Sequence, residues 1–218
     1  MTNQRQAIGF LGGTFDPIHF GHLRPALEIS ERLSLQKLFL MPNHIAPHKS
    51  GTQCTSLQRS DMVKLAIASQ PMMEIDTREL NRDKASYTID TLKELKQVYP
   101  NTPLCFIMGM DSLLSFNSWY KWQEILDYCH IVVSQRPQWH PNFNTTIQEV
   151  IDHCQTINIQ DLHTLDHGKI YFQDTSQLDI SSSYIRQLIH NQLSIDFLVP
   201  DSVSQYIKEN NLYQTKAK

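Results

Sequence analysis

Two clusters in this chain carry side chains suited to holding an anion. The first is Gly12-Gly13-Thr14-Phe15-Asp16-Pro17-Ile18-His19-Phe20-Gly21-His22. His19 and His22 stand three apart, so across a helix start both rings share one face and can address the same phosphate. The glycines let the backbone approach a ligand closely and adopt positive φ, and Gly21 removes a side chain that would crowd a nucleotide. A helix start adds unsatisfied N–H groups and the positive end of its dipole. Zinc is disfavoured here, because two histidines without further ligands nearby fall short of a tetrahedral site. The turn is neither the GxxxxGK[ST] loop nor the GxGxxG fingerprint.

The second cluster is Ile180-Ser181-Ser182-Ser183-Tyr184-Ile185-Arg186. Serines at a helix start cap free N–H groups and can equally offer hydroxyls to a polyphosphate. Arg186 lies one turn inside, where its forked guanidinium could grip an anion with two N–H groups. Read alone, this is a routine helix cap; its meaning depends on what stands opposite.

The elements around these clusters alternate. Ala7 to Leu11 is a short apolar run broken by Gly12-Gly13, and a helical pattern follows with Leu23, Ala26, Leu27 and Leu33 on one side. Lys37 to Met41 reads as a strand ending at Pro42, which completes a βαβ unit. Further strands are expected at Met73–Asp76, Leu104–Met108, Ile131–Val133 and Ile170–Phe172. Helices are expected at Leu57–Ser69, Tyr87–Val98, Ser181–His190 and Asp201–Glu209. Residues 43–56 and 135–144 read as loops. This alternation predicts an α/β fold with a doubly wound, mostly parallel sheet, Rossmann-like, with helices at the C-terminal end. The first cluster sits at a strand's carboxyl end, where such sheets bind ligands.

At 218 residues the chain fits one domain spanning 1–218, with a helical part at about 181–213. A net charge of −3 leaves no electrostatic footprint for a nucleic-acid backbone, so no nucleic-acid partner is expected. The four cysteines stand far apart and form no CxxC pair, which points to reduced thiols. No signal segment and no long apolar run is visible, so no membrane partner and a cytoplasmic location are expected.

GGTFDPIHFGH resembles the HxGH signature of the nucleotidylyltransferases, and the serine–arginine cluster resembles their ISSTxIR signature, with Ser183 where Thr is usual. Across its whole length the chain resembles the bacterial nicotinate-nucleotide adenylyltransferases. That likeness rests on Pro42-Asn43, Pro47-His48-Lys49, Gln58-Arg59, Ser86-Tyr87-Thr88, Gly109-Met110-Asp111-Ser112, Trp119-Tyr120 and Arg136-Pro137. It implies adenylyl transfer from ATP to nicotinate mononucleotide, with pyrophosphate released.

The resemblance further implies that Gly12, Gly13, Thr14, Phe15, His19, His22, Gly109, Asp111, Ser182, Ser183 and Arg186 meet ATP. Of these, His19, His22 and Arg186 are expected to act on the reacting phosphates. Asn43, His48, Lys49 and Arg136 would surround the acceptor's phosphate and ribose. Trp119 would stack on its pyridine ring, with Tyr87, Thr88 and the backbone near Tyr120 at the ring's carboxylate. Mg²⁺ is expected to be held mainly by ATP phosphates and water, since no carboxylate cluster is evident. The rivals are another adenylyl- or cytidylyltransferase, such as one acting on phosphopantetheine, a non-catalytic nucleotide sensor, and an RNA-binding module. Intact phosphate-handling residues argue against the sensor, and the acidic balance argues against RNA.

Overall fold

The computed structural model describes residues 5–44, 52–82, 86–139 and 141–214. His48 and Lys49, two of the expected acceptor-side residues, lie outside them. The first half contains β1 (Ile8–Gly13), α1 (Phe20–Arg32), β2 (Lys37–Pro42), α2 (Ser56–Ile67), β3 (Met73–Ile75), α3 (Thr88–Val98) and β4 (Leu104–Gly109). The second contains α4 (Met110–Leu114), α5 (Trp122–Ile125), β5 (His130–Gln135), α6 (Thr145–Cys154), α7 (Asp161–Thr164), β6 (Ile170–Asp174), α8 (Ser182–His190) and α9 (Asp201–Glu209). Short 3₁₀ turns cover Arg78–Asn81 and Phe116–Ser118.

The strands lie in the order β3-β2-β1-β4-β5-β6, and every pairing is parallel. From β1 the chain winds outward to β3, then returns to the other side of β1 and winds out to β6. The direction reverses between β1 and β4, which opens a crevice at their carboxyl ends. The first signature cluster leaves β1 at that crevice.

Helices cover both faces, which is why the central strands read as unbroken apolar runs. On one face Ile29 of α1, Met62 and Val63 of α2, Ile185 of α8 and Val203 of α9 are buried together. On the other, Ile89, Leu92 and Leu95 of α3 pack with Ile125 and Ile147. Those three α3 residues are 0% exposed and contribute about 1.5–3 kcal/mol each by burial. Val98, which continues the same spacing, is exposed at the helix end instead. Helix α2 starts on a capping box, Thr55 accepting from the Gln58 N–H while the Gln58 side chain accepts from the Thr55 N–H.

Two of the ten histidines are structural pins. His163 Nδ1 accepts from the Ala7 N–H at 3.0 Å and its Nε2 donates to the Leu33 carbonyl at 2.9 Å, tying α7 to the start of β1 and the end of α1. His130 does the same at the start of β5, accepting from the Lys169 N–H and donating to the Leu165 carbonyl, each at 3.1 Å. Among the described residues no helix is long and apolar enough to cross a membrane.

Candidate active site

The turn after β1 is more tightly built than its composition suggests. Positive φ was expected of the glycines, but Gly12 and Gly13 stay extended within β1, and Phe15 adopts the left-handed conformation with φ 49. A non-glycine residue held there costs on the order of 1–3 kcal/mol, which the surroundings must offset. They do so by burying the Phe15 ring, 1% exposed, over Gly13. A Cβ on Gly13 would lie 2.6 Å from Phe15 Cε1, so Gly13 supplies room for that ring rather than an unusual φ.

His19 and His22 are brought together as expected. Their ring centroids are 3.7 Å apart, and the Phe15 ring stands edge-on to His22 at 5.1 Å. His19 is 4% exposed, and burial lowers its pKa from 6.5 to about 4, so it is neutral at neutral pH and can donate through one ring nitrogen. Gly21 also leaves room for groups of the protein itself. A Cβ there would lie 2.9 Å from His19 Nδ1 and 3.1 Å from the Ile180 carbonyl oxygen. What it would crowd is the partner histidine and the segment leading into α8.

That segment carries the second cluster, and the two clusters are hydrogen-bonded to one another. Arg186 Nη1 donates to the Asp16 carbonyl at 2.6 Å, and the Ser182 hydroxyl donates to the Pro17 carbonyl at 2.9 Å. Ser181 is the helix cap, accepting from the Tyr184 N–H at 3.2 Å. Ser182 thus spends its proton on the turn, whereas Ser183 is exposed, with its hydroxyl 3.1 Å from that of Ser181. The Phe20 N–H at the start of α1 is bonded to the Leu198 carbonyl at 3.0 Å, so the chain after α8 also braces the turn.

Beside the turn lies a cavity of about 370 Å³ at the carboxyl ends of β1, β2 and β4. Gly12, Gly13, Thr14, Asn43, Tyr87, Thr88, Trp119 and Tyr120 all line it, so most of the residues expected on the acceptor side meet the glycines expected on the ATP side there. The Asn43 N–H donates to the Gly13 carbonyl at 3.0 Å, and its side-chain oxygen is buried with no partner among the described residues. Trp119 is held edge-on by Phe106 at 6.0 Å and Phe116 at 5.6 Å, and Tyr87 packs on Tyr120 at 4.7 Å. Helix α3 opens onto the cavity at Thr88 with no side-chain cap, the Asp90 N–H turning back to the Tyr87 carbonyl at 3.1 Å, so the positive end of its dipole lies at the cavity edge.

Gly109 and Asp111 are exposed where β4 passes into α4, and a Cβ on Gly109 would meet nothing within 4 Å. Arg136 is not brought to the cavity. It follows β5 and lines a separate groove of about 490 Å³ with Arg32 and residues 174–177.

Glu28, Arg59 and Glu79 are buried charged residues that had no assigned role. Glu79 lines the cavity, and burial raises its carboxyl pKa although the Thr91 hydroxyl donates to it at 2.6 Å. Glu28 of α1 accepts from the Ser176 N–H at 2.8 Å and from Arg24 Nε at 2.6 Å. Burial alone would push its carboxyl up, but these donors win and hold it at about 2. Arg59 is 0% exposed and bonded to the Thr14 carbonyl. Gln58-Arg59 belongs to the family likeness, but an arginine normally marks a solvated position, so residue type carries no signal for its burial. Among the described residues no group of three or more His, Cys, Asp or Glu could hold a metal ion, and both Asp16 carboxylate oxygens already accept from protein groups.

The family model described as "Cytidylyltransferase-like" matches residues 10–188. A Psychromonas ingrahamii protein named "Probable nicotinate-nucleotide adenylyltransferase" is 64% identical over 98% of this chain and 100% of its own length. An Aeromonas hydrophila protein of the same name is 49% identical over 95% of this chain and 97% of its own. Among solved structures, Plasmodium falciparum nicotinic acid mononucleotide adenylyltransferase complexed with NaAD aligns with a TM-score of 0.71 at 21% identity, covering 95% of this chain and 97% of that one. The same enzyme complexed with APC aligns with a TM-score of 0.69 at 20% identity, over the same shares. At such identity these two structures speak for the fold, while the sequence relatives speak for the lineage. The chain belongs to the nicotinate-nucleotide adenylyltransferase family of cytidylyltransferase-like proteins.

Proposed function

We propose that this chain transfers the adenylyl group of ATP to nicotinate mononucleotide, giving nicotinate adenine dinucleotide and pyrophosphate. The observation that carries this reading is the direct bonding of the two clusters, Arg186 to Asp16 and Ser182 to Pro17, next to the paired His19 and His22. One polyphosphate can then lie across the start of α1 and the start of α8. Gly12, Gly13, Thr14 and Phe15 bring the backbone to it, Ser183 and Arg186 close over it, and Gly109 and Asp111 meet the nucleoside. The acceptor fills the cavity, its pyridine ring against Trp119 and its carboxylate near Thr88, Tyr87 and Tyr120. Asn43, His48 and Lys49 belong to its phosphate and ribose. Arg136 joins them only if the segment after β5 moves inward. The same braces support reading residues 1–218 as one domain.

The acceptor's phosphate oxygen attacks the α-phosphorus of ATP in line. The new bond is O–Pα; the bond broken joins Pα to the oxygen bridging it to the β-phosphate, and pyrophosphate leaves with that oxygen and the electron pair. The nucleophile is already anionic near neutral pH, so no general base is needed. The protein's contribution is positioning and the stabilisation of charge by fixed donors. Mg²⁺ would be held mainly by the polyphosphate oxygens and water rather than by side chains, and would supply neutralisation of the phosphate charge.

Pyrophosphate release is measured with ATP and nicotinate mononucleotide, then with the amidated acceptor or phosphopantetheine. Fast release with the acid alone supports the reading, because an uncapped helix start and hydroxyls favour a carboxylate over a neutral amide. Release with phosphopantetheine only, or with none of the three, refutes it.

A further inference from the structure

Arg59 is an unusual residue to find at 0% exposure, because a guanidinium taken out of water needs strong compensation. It has no carboxylate within ion-pair distance among the described residues; its partners are mostly backbone dipoles. Nη1 donates to the Thr14 carbonyl at 2.6 Å, while Nη2 lies 3.4 Å from both the His44 carbonyl and the Ser56 hydroxyl. One fork therefore joins the turn after β1, the segment after β2 and the start of α2. The buried carboxylate of Asp16 makes the matching connection from the other side. It accepts from the Gln53 N–H at 2.8 Å and from the Tyr213 hydroxyl at 2.7 Å.

The consequence is geometric. A peptide plane carries its C=O and N–H on opposite edges, so fixing the Thr14 carbonyl on Arg59 turns the Phe15 N–H away from it. The same fork holds His44, whose neighbour Asn43 lines the acceptor cavity and is bonded to Gly13. The phosphate-receiving turn and the acceptor wall thus share one anchor that touches neither ligand.

We propose that Arg59 is a positioning residue that joins the ATP-side turn to the acceptor-side wall, so that each substrate binds more tightly once the other is in place. This rests on the adenylyl-transfer reading above. A lysine at this position keeps the charge but reaches one carbonyl at a time, so it uncouples the halves without emptying the core of its cation.

The test is calorimetric titration of the full chain with the inert analogue α,β-methylene ATP, alone and with saturating nicotinate mononucleotide. In the wild type the acceptor tightens analogue binding about fivefold or more, the lower end of ordinary site–site coupling. In Arg59→Lys the tightening drops below about twofold, while each ligand alone stays within about threefold of its wild-type Kd. A merely structural residue would weaken each ligand alone and leave the ratio intact; that result overturns the proposal. So does a wild type that binds both ligands without coupling. A wild type that binds neither overturns the function reading as well, which keeps the two failures distinct. If Arg59→Lys melts below the assay temperature, Ser56→Ala decides, since it removes one Nη2 partner, together with that hydroxyl's 2.9 Å contact with His44 Nδ1, and leaves the cation. Reduced coupling in that variant supports the proposal, and unchanged coupling overturns it.

Discussion

Gly21→Ala adds one methyl group and strikes the histidine pair without touching a charge. That methyl would lie 2.9 Å from His19 Nδ1, 3.0 Å from its Cε1 and 3.1 Å from the Ile180 carbonyl oxygen. Non-bonded contacts are comfortable near ~3.5 Å, so the ring must retreat by about 0.5 Å and Ile180 by a few tenths. There is little slack for this, because His19 is 4% exposed and its centroid already lies 3.7 Å from that of His22. The backbone raises no objection, and alanine is favoured over glycine in a helix by ~1 kcal/mol, which offsets part of the crowding. The expected outcome is a melting temperature within a few degrees of wild type. Turnover falls on the order of tenfold to a hundredfold, since ~1 Å of misplacement can cost about 10² in rate. The assay is pyrophosphate release at saturating ATP and acceptor, paired with a thermal melt. Full turnover in a folded Gly21→Ala protein would refute the reasoning, because the His19 position would then not matter. A loss of turnover that only tracks the fraction unfolded would refute it equally.

Trp119→Ala should raise KM for nicotinate mononucleotide about fivefold through the lost stack, on the order of 1 kcal/mol, while KM for ATP stays put in steady-state kinetics. Glu28→Ala strands the Ser176 N–H and Arg24, and should cost about 1.5–3 kcal/mol in denaturant unfolding at pH 7. Its carboxyl titrates at about 2 in the folded chain against 4.5 ordinarily, so this contribution is complete above pH 4.5 and fades as pH falls toward 2. A difference that persists undiminished at pH 2 would exclude that assignment. His19 and His130 are both held at about 4 against 6.5, so the unfolded chain takes up protons in that window and the folded chain does not. Unfolding free energy should therefore drop as pH falls from 6.5 to 4, by up to about 3 kcal/mol per histidine. Excess ATP should soften the His19 part by lending its phosphates to the imidazolium. A pH-independent unfolding curve across that window would contradict the burial of both rings.

The sheet was legible because parallel strands buried on both faces are written as apolar runs bounded by Gly and Pro, as at Leu104–Gly109 and Lys37–Pro42. Helix α6 was harder, because its buried side rests on only Ile147 and Ile151 after a proline-containing loop. The meeting of the two clusters could be expected from family likeness, but periodicity alone says nothing of contacts between Asp16 and Arg186, 170 positions apart. The turn's inner logic was not readable either. Which residue takes positive φ at Phe15, and what a methyl on Gly21 would hit, depend on side chains packed from elsewhere in the chain. Arg59 was hidden for the opposite reason, since its residue type normally marks a solvated face. Arg136 follows β5 and lines a groove with Arg32, a placement that its motif alone does not encode, because the motif fixes sequence position and not which neighbours the side chain meets.

A crystal structure of the chain with nicotinate adenine dinucleotide tests the central claim most directly. The account places the dinucleotide's phosphates against the turn after β1, within hydrogen-bond reach of His22 and Arg186, with the pyridine ring on Trp119. Phosphates bound instead in the groove of Arg32 and Arg136, or His22 and Arg186 facing different cavities, would contradict it.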